Sequence, residues 1–345
     1  MRNLISIITI AMSIPYYIFS NGRLSKQDNS LVLHYKNEET RVEEKHFIPI
    51  ENVDNIYCFG QMDCNSALLH FLGRKGISLH FFDFYEHYTG SFIPRKDLLS
   101  GKMLVQQALF YHDTAQRLWL AKRFIMGAAK NMYRNLKYYL QRGKEVQQSI
   151  LKIENLYPNI KEAQSVQALF GVEGNIRIAY YETFDKIITG FTFDKRSKNP
   201  PVDAINSLIS FLNMVCYTIC TDAIHHTQLN TTIGFLHEPS ERRHSLALDV
   251  AEVFKPLLVD RTIFTLVNKK MVQPDDFEVS KFGVTIKTKA KKKIIKVWDE
   301  KLSDTIFHRE LQQYVSYKTL VQKECYKLQK HLLKEEPYKP FHAWW

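Results

Sequence analysis

Three short segments of the chain carry residue types able to bind a metal or move a proton. The first is Gly171-Val172-Glu173-Gly174, read as the opening of a helix on which Ile176, Tyr180 and Phe184 recur at four-residue spacing. A carboxylate at a helix start ordinarily compensates the helix dipole from the surface, so Glu173 alone indicates no chemistry. The second is Gly234-Phe235-Leu236-His237-Glu238-Pro239, an apolar approach to a histidine in a turn before proline, where a neutral imidazole can bind metal. A lone histidine in such a turn is more often structural. The third runs from Ser245 to Phe254, where Asp249 and Glu252 lie three apart on a predicted helix and face one direction. Leu246, Val250, Val253 and Leu257 make the adjacent stripe apolar, which places both acids at the edge of the core. Paired like charges there cost stability unless a cation lies between them. An exposed helix face whose acids pair with Arg242, Arg243 or Lys255 satisfies the same periodicity, and spacing does not choose between the two.

The elements that must position these residues fall into two kinds. From Tyr16 to about Phe92 the residues favour strands, at Tyr16 to Ser20, Leu31 to Tyr35, Arg41 to Ile50, Asn55 to Phe59 and Ile77 to Tyr85. Asn21-Gly22 reads as a hairpin turn, and Lys36 to Glu39 and Glu51 to Asp54 as polar breaks. One helix is predicted from Cys64 to Arg74, with Asp63 as its N-cap and Gly76 past its end. At Pro94, Arg95 and Lys96 the pattern changes to helical periodicity, dividing the chain into a β-rich domain over 1–94, with 1–13 as an added tail, and a helical domain over 95–345. Helical patterns cover Leu98 to Gln141, Lys161 to about Thr189, and Asp203 to His225, the last nearly all apolar and therefore the core helix. The basic cluster of Lys287, Lys289, Lys291, Lys292, Lys293 and Lys296 lies between apolar residues and fits two strands or a hairpin. Lys334 to Trp345 has no helical period and is predicted to be extended or mobile. The fold class is α+β.

With 345 residues, 45% hydrophobic and 24% charged, the chain has ordinary globular composition, which excludes a largely disordered protein. Lys and Arg exceed Asp and Glu by 47 to 36, a net +11 that favours a polyanionic partner, with a membrane surface as the rival. Cys58, Cys64, Cys216, Cys220 and Cys325 form no C-x-x-C pair, and their odd number fits a reducing cytoplasm better than a disulfide framework. Cys216 and Cys220 share one face of an apolar helix as small hydrophobes, which makes zinc improbable there. The apolar run Leu4 to Ile14 is too short to span a bilayer and no small-x-small cleavage site follows, so an upstream start codon or an extra strand or tail is expected there, and no membrane association.

The order of signatures along the whole chain resembles the CRISPR-associated DNA integrase and endonuclease of spacer acquisition, the first numbered member of that system (Cas-one). The resemblance is carried by Ser20-Asn21-Gly22-Arg23-Leu24, by Glu173-Gly174 with Tyr180, and by Asn199-Pro200-Pro201-Val202-Asp203-Ala204-Ile205-Asn206. It continues through Gly234-Phe235-Leu236-His237-Glu238, Leu246-Ala247-Leu248-Asp249 to Phe254-Lys255-Pro256, and Val259-Asp260-Arg261. It implies that Glu173, His237 and Glu252 are metal ligands, with Asp249 close by, either behind them or as a transient ligand. It also implies a β-rich domain that mediates homodimerisation, a helical catalytic domain, and a complex with the small ferredoxin-like partner (Cas-two).

Two carboxylates and one imidazole suit Mg²⁺ or Mn²⁺ better than Zn²⁺ or Ca²⁺. Such a site can polarise a phosphodiester for in-line attack by the 3′-hydroxyl of a captured DNA fragment, giving insertion into a CRISPR array, or by water, giving endonuclease activity. Arg117, Lys122, Arg123 and Arg134 on the basic helices, with Arg196 and Lys198, are the expected phosphate contacts. Two rival functions are kept: a general metal-dependent nuclease of branched or single-stranded DNA, and a non-catalytic DNA-binding scaffold in which the acids are structural.

Overall fold

A computed structural model of the chain describes residues 14–37, 40–83, 87–94, 100–198, 200–241, 244–281 and 283–344. The chain separates between residues 97 and 98 into two compact units. The expected N-terminal tail over 1–13 lies outside the described residues, as do Arg95 and Lys96 at the expected boundary, Arg242 and Arg243.

In the first unit β1 (Ile14–Ile18) is followed by β2 (Gly22–Gln27), β3 (Ser30–Lys36), β4 (Glu43–Pro49), β5 (Val53–Cys58), the two-residue β6 (Met62–Asp63), α1 (Ser66–Lys75), β7 (Ser78–Phe82) and β8 (Tyr88–Phe92). They form two four-stranded sheets, ordered β1-β5-β7-β8 and β4-β3-β2-β6. Leu24, Leu31, Ile56, Leu79 and, from α1, Leu68 and Leu72 close one core between them. The helix is capped by Asn65, whose side chain accepts from Leu68 N, and not by the expected Asp63; it ends at Gly76 with φ of 71°.

Asn21-Gly22 is not a hairpin turn. β1 and β2 belong to different sheets, and the chain crosses between them beside the segment that joins β5 to β6, since β1 runs parallel to β5 and β2 parallel to β6. Asn21 is used here as an acceptor, bonded by Gln61 N at 2.8 Å. Gly22 is needed for close approach, because a Cβ there would lie 2.2 Å from the carbonyl oxygen of His34. The tight hairpin comes later, between β2 and β3, where Asp28 takes φ of 53°.

The second unit contains α2 (Gly101–His112), α3 (Thr114–Leu140), α4 (Gln147–Glu162), α5 (Val166–Tyr181), the one-turn α6 (Phe184–Ile187), α7 (Ala204–His225), α8 (Ser245–Lys255), a π turn at Pro256–Asp260, α9 (Arg261–Asn268), the hairpin of β9 (Phe277–Ser280) and β10 (Gly283–Ile286), α10 (Thr288–Ser303), the hairpin of β11 (Thr305–His308) and β12 (Gln313–Ser316), and α11 (Tyr317–Leu332). The architecture is thus α+β, a β-sheet unit followed by a mainly helical one, as the sequence pattern indicates. The helical pattern expected from Leu98 to Gln141 is formed by two helices divided at Asp113, which closes α2 and caps α3 by accepting from Ala115 N and Gln116 N. The stretch from Lys161 to Thr189 holds the end of α4, all of α5, and α6.

α7, capped by Asp203, is the core helix of this unit, with Leu208, Leu212, Val215, Cys216 and Cys220 buried along it. Among the described residues it alone is apolar and long enough to cross a membrane by length and composition, and most of it is buried in the fold. All five cysteines are free thiols. Of the segment expected to form two strands or a hairpin, Val284 and Ile286 lie on β10, but Lys289 to Lys296 are helical: Ile294, Ile295, Val297 and Trp298 are buried on one face of α10, a spacing only a helix satisfies. The C-terminal tail is extended but fixed. Tyr338 and Phe341 are buried, and Glu324 accepts from Tyr338 Oη at 2.6 Å and from Phe341 N at 3.0 Å.

Candidate metal centre

Glu173 lies in the middle of α5 and not at a helix start. The N-terminus of that helix is set by Ser165, whose hydroxyl accepts from Ala168 N at 3.1 Å. The dipole-compensating role expected for Glu173 is therefore removed, and its carboxylate, only 19% exposed, requires another explanation. On α8 the side chains of Asp249 and Glu252 are 0% and 6% exposed, so the solvated-face alternative does not describe them. Lys255 does pair with Glu252, Nζ to Oε1 at 2.6 Å, but inside the fold.

Asp249 organises the loop that carries His237. Its Oδ2 accepts from the backbone of Phe235 at 2.6 Å and Leu236 at 3.0 Å, and its Oδ1 from the backbone of His237 at 2.9 Å. The same Oδ1 lies 2.8 Å from His237 Nδ1. A carboxylate on Nδ1 makes that nitrogen the donor and leaves Nε2 with its lone pair, the form in which an imidazole binds metal. Nε2 is 4.0 Å from Glu252 Oε1. Gly234 admits this close packing, because a Cβ there would meet the carbonyl carbon of Ser245 at 2.8 Å and Asp249 Oδ2 at 3.0 Å. Asp249 is a positioning residue by these contacts, its oxygens being engaged by the loop.

The loop is also held from α2 and α3. Gln107 donates to the carbonyls of Asn230 and Ile233, both at 2.8 Å, and Arg117 donates from Nε to the carbonyl of Phe235 at 3.0 Å and from Nη2 to Glu238 at 2.6 Å. The bonds from Tyr111 and Arg117 hold the Glu238 carboxyl below its usual pKa. Behind α8, Asn131 of α3 donates to the carbonyls of Val253 at 2.7 Å and Phe341 at 3.2 Å and accepts from Ala343 N at 2.8 Å, tying the tail to the helix that carries Glu252. Asn131→Ala is expected to destabilise the protein by about 2–4 kcal/mol, from the buried groups left unpaired. Denaturant unfolding checks this, and a loss below about 0.5 kcal/mol, the range of neutral surface substitutions, would remove the tie from the account.

Arg177, one helical turn after Glu173, is a residue of the candidate site that the sequence does not single out. Its Nε bonds Glu173 Oε1 and its Nη2 bonds Glu252 Oε2, so one guanidinium joins α5 to α8. Burial lowers the guanidinium pKa but the Glu173 carboxylate more than offsets this, leaving it above the ordinary value. Asp260, in the π turn, faces the same cation; burial pushes its carboxyl up to about 7, with Arg177 and Tyr180 opposing the rise. The only sequence signal for Arg177 is the i,i+4 acid–base spacing with Glu173, which marks many ordinary surface pairs.

Among the described residues no three His, Cys, Asp or Glu side chains are drawn together as a ligand cluster. Glu173 and Glu252 meet instead on opposite sides of Arg177, with His237 Nε2 beside Glu252. The donor set nonetheless fits a hard divalent cation: two carboxylates already share one positive charge, and the imidazole beside them is fixed in the correct tautomer by a carboxylate behind it.

The expected phosphate contacts divide by environment. Arg117 is tied to the His237 loop, and Arg196 donates to Asn206, Ser210 and Ser197. Lys122 bonds the carbonyl of Lys161 at 2.6 Å, Arg123 lies over the Trp119 ring at 4.4 Å, Arg134 is partly buried and Lys198 is exposed.

The family model for CRISPR associated protein Cas1 matches residues 16–300. A CRISPR-associated endonuclease Cas1 of Moorella thermoacetica is 46% identical over 330 residues, covering 96% of this chain and 99% of its own. The structure of a Cas1 protein from Thermotoga maritima has a TM-score of 0.82 and 33% identity over 95% of this chain and 99% of its own. Two more distant structures share the fold: a casposase bound to integration product, with TM-score 0.84 and 19% identity over 94% of this chain and 92% of its own, and a Cas6-RT-Cas1–Cas2 complex, with TM-score 0.78 and 17% identity over 96% of this chain and 36% of that one. The match spans both units and includes every element that carries Glu173, His237 and Glu252, and so the chain belongs to the Cas1 family of CRISPR-associated endonucleases.

Proposed function

We propose that this chain is a divalent-metal-dependent DNA integrase that joins the 3′-hydroxyl of a captured DNA fragment to a CRISPR array. The observation that carries the reading is the pairing of Glu173 and Glu252 on one positive charge beside the oriented Nε2 of His237. Glu173, Glu252 and His237 would hold the cation, Mg²⁺ or Mn²⁺, which when bound supplies Lewis-acid polarisation of a phosphate and charge stabilisation in the displacement. Asp249 keeps the imidazole in its binding tautomer, and Arg117, Gln107 and Ser245, whose hydroxyl accepts from Gly234 N and donates to the Thr232 carbonyl, keep its loop from shifting. Lys255, 10% exposed and on α8 beside Glu252, adds fixed positive charge where a phosphodiester would bind. The reaction is a transesterification: one P–O bond forms to the incoming 3′-oxygen, the P–O bond to the target strand's 3′-oxygen breaks, and the number of diesters is conserved. No side chain need act as nucleophile.

Strand-transfer assays on duplex fragments with 3′-hydroxyl or 3′-deoxy ends test this directly. Joined product from the hydroxyl ends alone is the expected outcome; shortened fragments from both, with no joined product, would leave hydrolysis as the activity. The endonuclease names of the relatives favour that second reading, in which water attacks at the same site.

DNA is the proposed partner, with a homodimer formed through the β-sheet unit and a second CRISPR-associated protein, the ferredoxin-like Cas2, as further partners. The complex named Cas6-RT-Cas1–Cas2 among the fold neighbours supports the last of these. The five free thiols support a cytoplasmic location. α10 supports the polyanion reading, because Lys289, Lys292 and Lys296 are exposed and share one helical face. Lys289→Ala/Lys292→Ala/Lys296→Ala is expected to flatten the salt dependence of DNA binding by roughly 2–3 in log–log slope, at about 0.9 for each phosphate no longer neutralised. An unchanged slope in a filter-binding titration across salt would remove α10 from the DNA surface.

A further inference from the structure

Glu173 and Glu252 belong to different helices and present their carboxylates to one enclosed space. Two anions there repel across a medium that screens poorly, and positive charge between them offsets that repulsion. Arg177 supplies it. Its side chain is 19% exposed, it stems from α5 one turn beyond Glu173, and its Nε and Nη2 contact the two carboxylates separately. Lys255 takes the other oxygen of Glu252. The guanidinium therefore stands between the two proposed ligands, in the space that a divalent ion shared by both carboxylates requires. Two cations cannot occupy that space together.

We infer that Arg177 is an internal counter-cation: it holds the Glu173–Glu252 pair in place while no divalent ion is bound, and it must withdraw from both carboxylates when one binds. This rests on the metal-centre reading above and adds to it a residue that competes with the ion. Asp260, buried in the π turn that continues α8, favours the charged guanidinium electrostatically and offers a second acidic partner for a long, always-charged side chain once displaced.

Two consequences separate this role from that of an ordinary salt bridge. Without Arg177 the protein with no ion should be less stable, because two enclosed carboxylates lose their shared cation. Its affinity for the ion should nevertheless rise, because nothing has to be displaced and the carboxylates are bare. A residue that merely braced the helices would lower both.

Calorimetric titration with Mn²⁺ and thermal unfolding with and without Mn²⁺, applied to the wild-type protein, Arg177→Met and Arg177→Lys, test the inference without measuring activity. The expected result is that Arg177→Met binds Mn²⁺ about tenfold more tightly or better, melts at a lower temperature without it, and gains more from it than the wild type does. Arg177→Lys should fall between, since one ammonium cannot bridge both carboxylates as a fork does. Equal or weaker Mn²⁺ binding by folded Arg177→Met overturns the inference. If Arg177→Met does not fold, wild-type crystal structures with and without Mn²⁺ decide: the guanidinium is expected to leave both carboxylates, and Mn²⁺ bound to Glu173 and Glu252 with Arg177 still bridging them overturns it. A wild-type protein with no saturable Mn²⁺ site defeats the metal-centre reading itself, and the inference with it; a wild-type site left unchanged by Arg177→Met defeats the inference alone.

Discussion

Glu173→Ala is expected to reduce strand transfer by about a thousandfold or more, because the charge stabilisation supplied by a bound cation amounts to several kcal/mol of the barrier. The fold should survive the change. Arg177 keeps its second partner, Glu252, and Glu173 is the more exposed of the two carboxylates. Glu252→Ala is a less clean test, since it strips the 10%-exposed Lys255 of the carboxylate it bonds and breaking such a pair costs about 3–5 kcal/mol. The prediction for Glu173→Ala is checked by quantifying joined product alongside a melting curve. Wild-type yield from a folded variant would exclude Glu173 from the chemistry.

Asp249→Ala is expected to have the second-largest effect, through a different route. The backbone N–H groups of Phe235, Leu236 and His237 would lose their acceptor, costing about 3 kcal/mol or more of stability. His237 would also lose the carboxylate that fixes its tautomer and ring orientation, and metal affinity should fall by about 10- to 100-fold. Urea unfolding and Mn²⁺ titration measure the two parts independently. Asp249→Asn should recover some of each, because one amide oxygen can still accept from the loop. Unaltered Mn²⁺ affinity in Asp249→Ala would mean that the loop geometry is set elsewhere, by Arg117 and Gln107.

The helices that carry the site are partly legible in the sequence, and the reasons for the rest are physical. α7 and α8 are readable because their apolar residues recur at helical spacing and Asp203 is a strong cap. The placement of Asp249 and Glu252 on one helical face follows from the same spacing. Local pattern misplaces Glu173 at a helix start because Gly171 and Gly174 suggest a boundary, whereas the start is set well upstream by Ser165, in a segment without a break in helix propensity. Asn21-Gly22 suggests a hairpin on local propensity alone. Its use as a crossover depends on Gln61 and His34, partners that no local pattern reveals. The tail reads as extended or mobile because it has no helical period of its own and is fixed by partners outside it, Asn131 on the distant α3 and Glu324 on the preceding α11.

The site shows the same limit more sharply. Resemblance to a family supplies Glu173, His237 and Glu252 as a set; spacing can supply only the Asp249–Glu252 pair. What the sequence does not display is the cationic half of the arrangement. Arg177 has an acid one turn before it, as many exposed residues do, and only the placement of α5 and α8 against α3 brings Glu252 to its other side. Lys255 reads as one of three cations relieving an exposed acidic face, but the face is buried and the lysine is buried with it.

Glu173, His237 and Glu252 are proposed to act jointly on one divalent ion. The most direct measurement is calorimetric Mn²⁺ binding, with Mg²⁺ as competitor, to the wild-type chain and to Glu173→Ala and His237→Ala. A single saturable site is expected in the wild type, with Mn²⁺ displaced by Mg²⁺ and affinity about tenfold or more lower in each variant, as losing one ligand from such a donor set requires. Two folded variants that bind Mn²⁺ as the wild type does would contradict it, leaving a basic protein of this fold whose acids serve only to pair with Arg177 and Lys255.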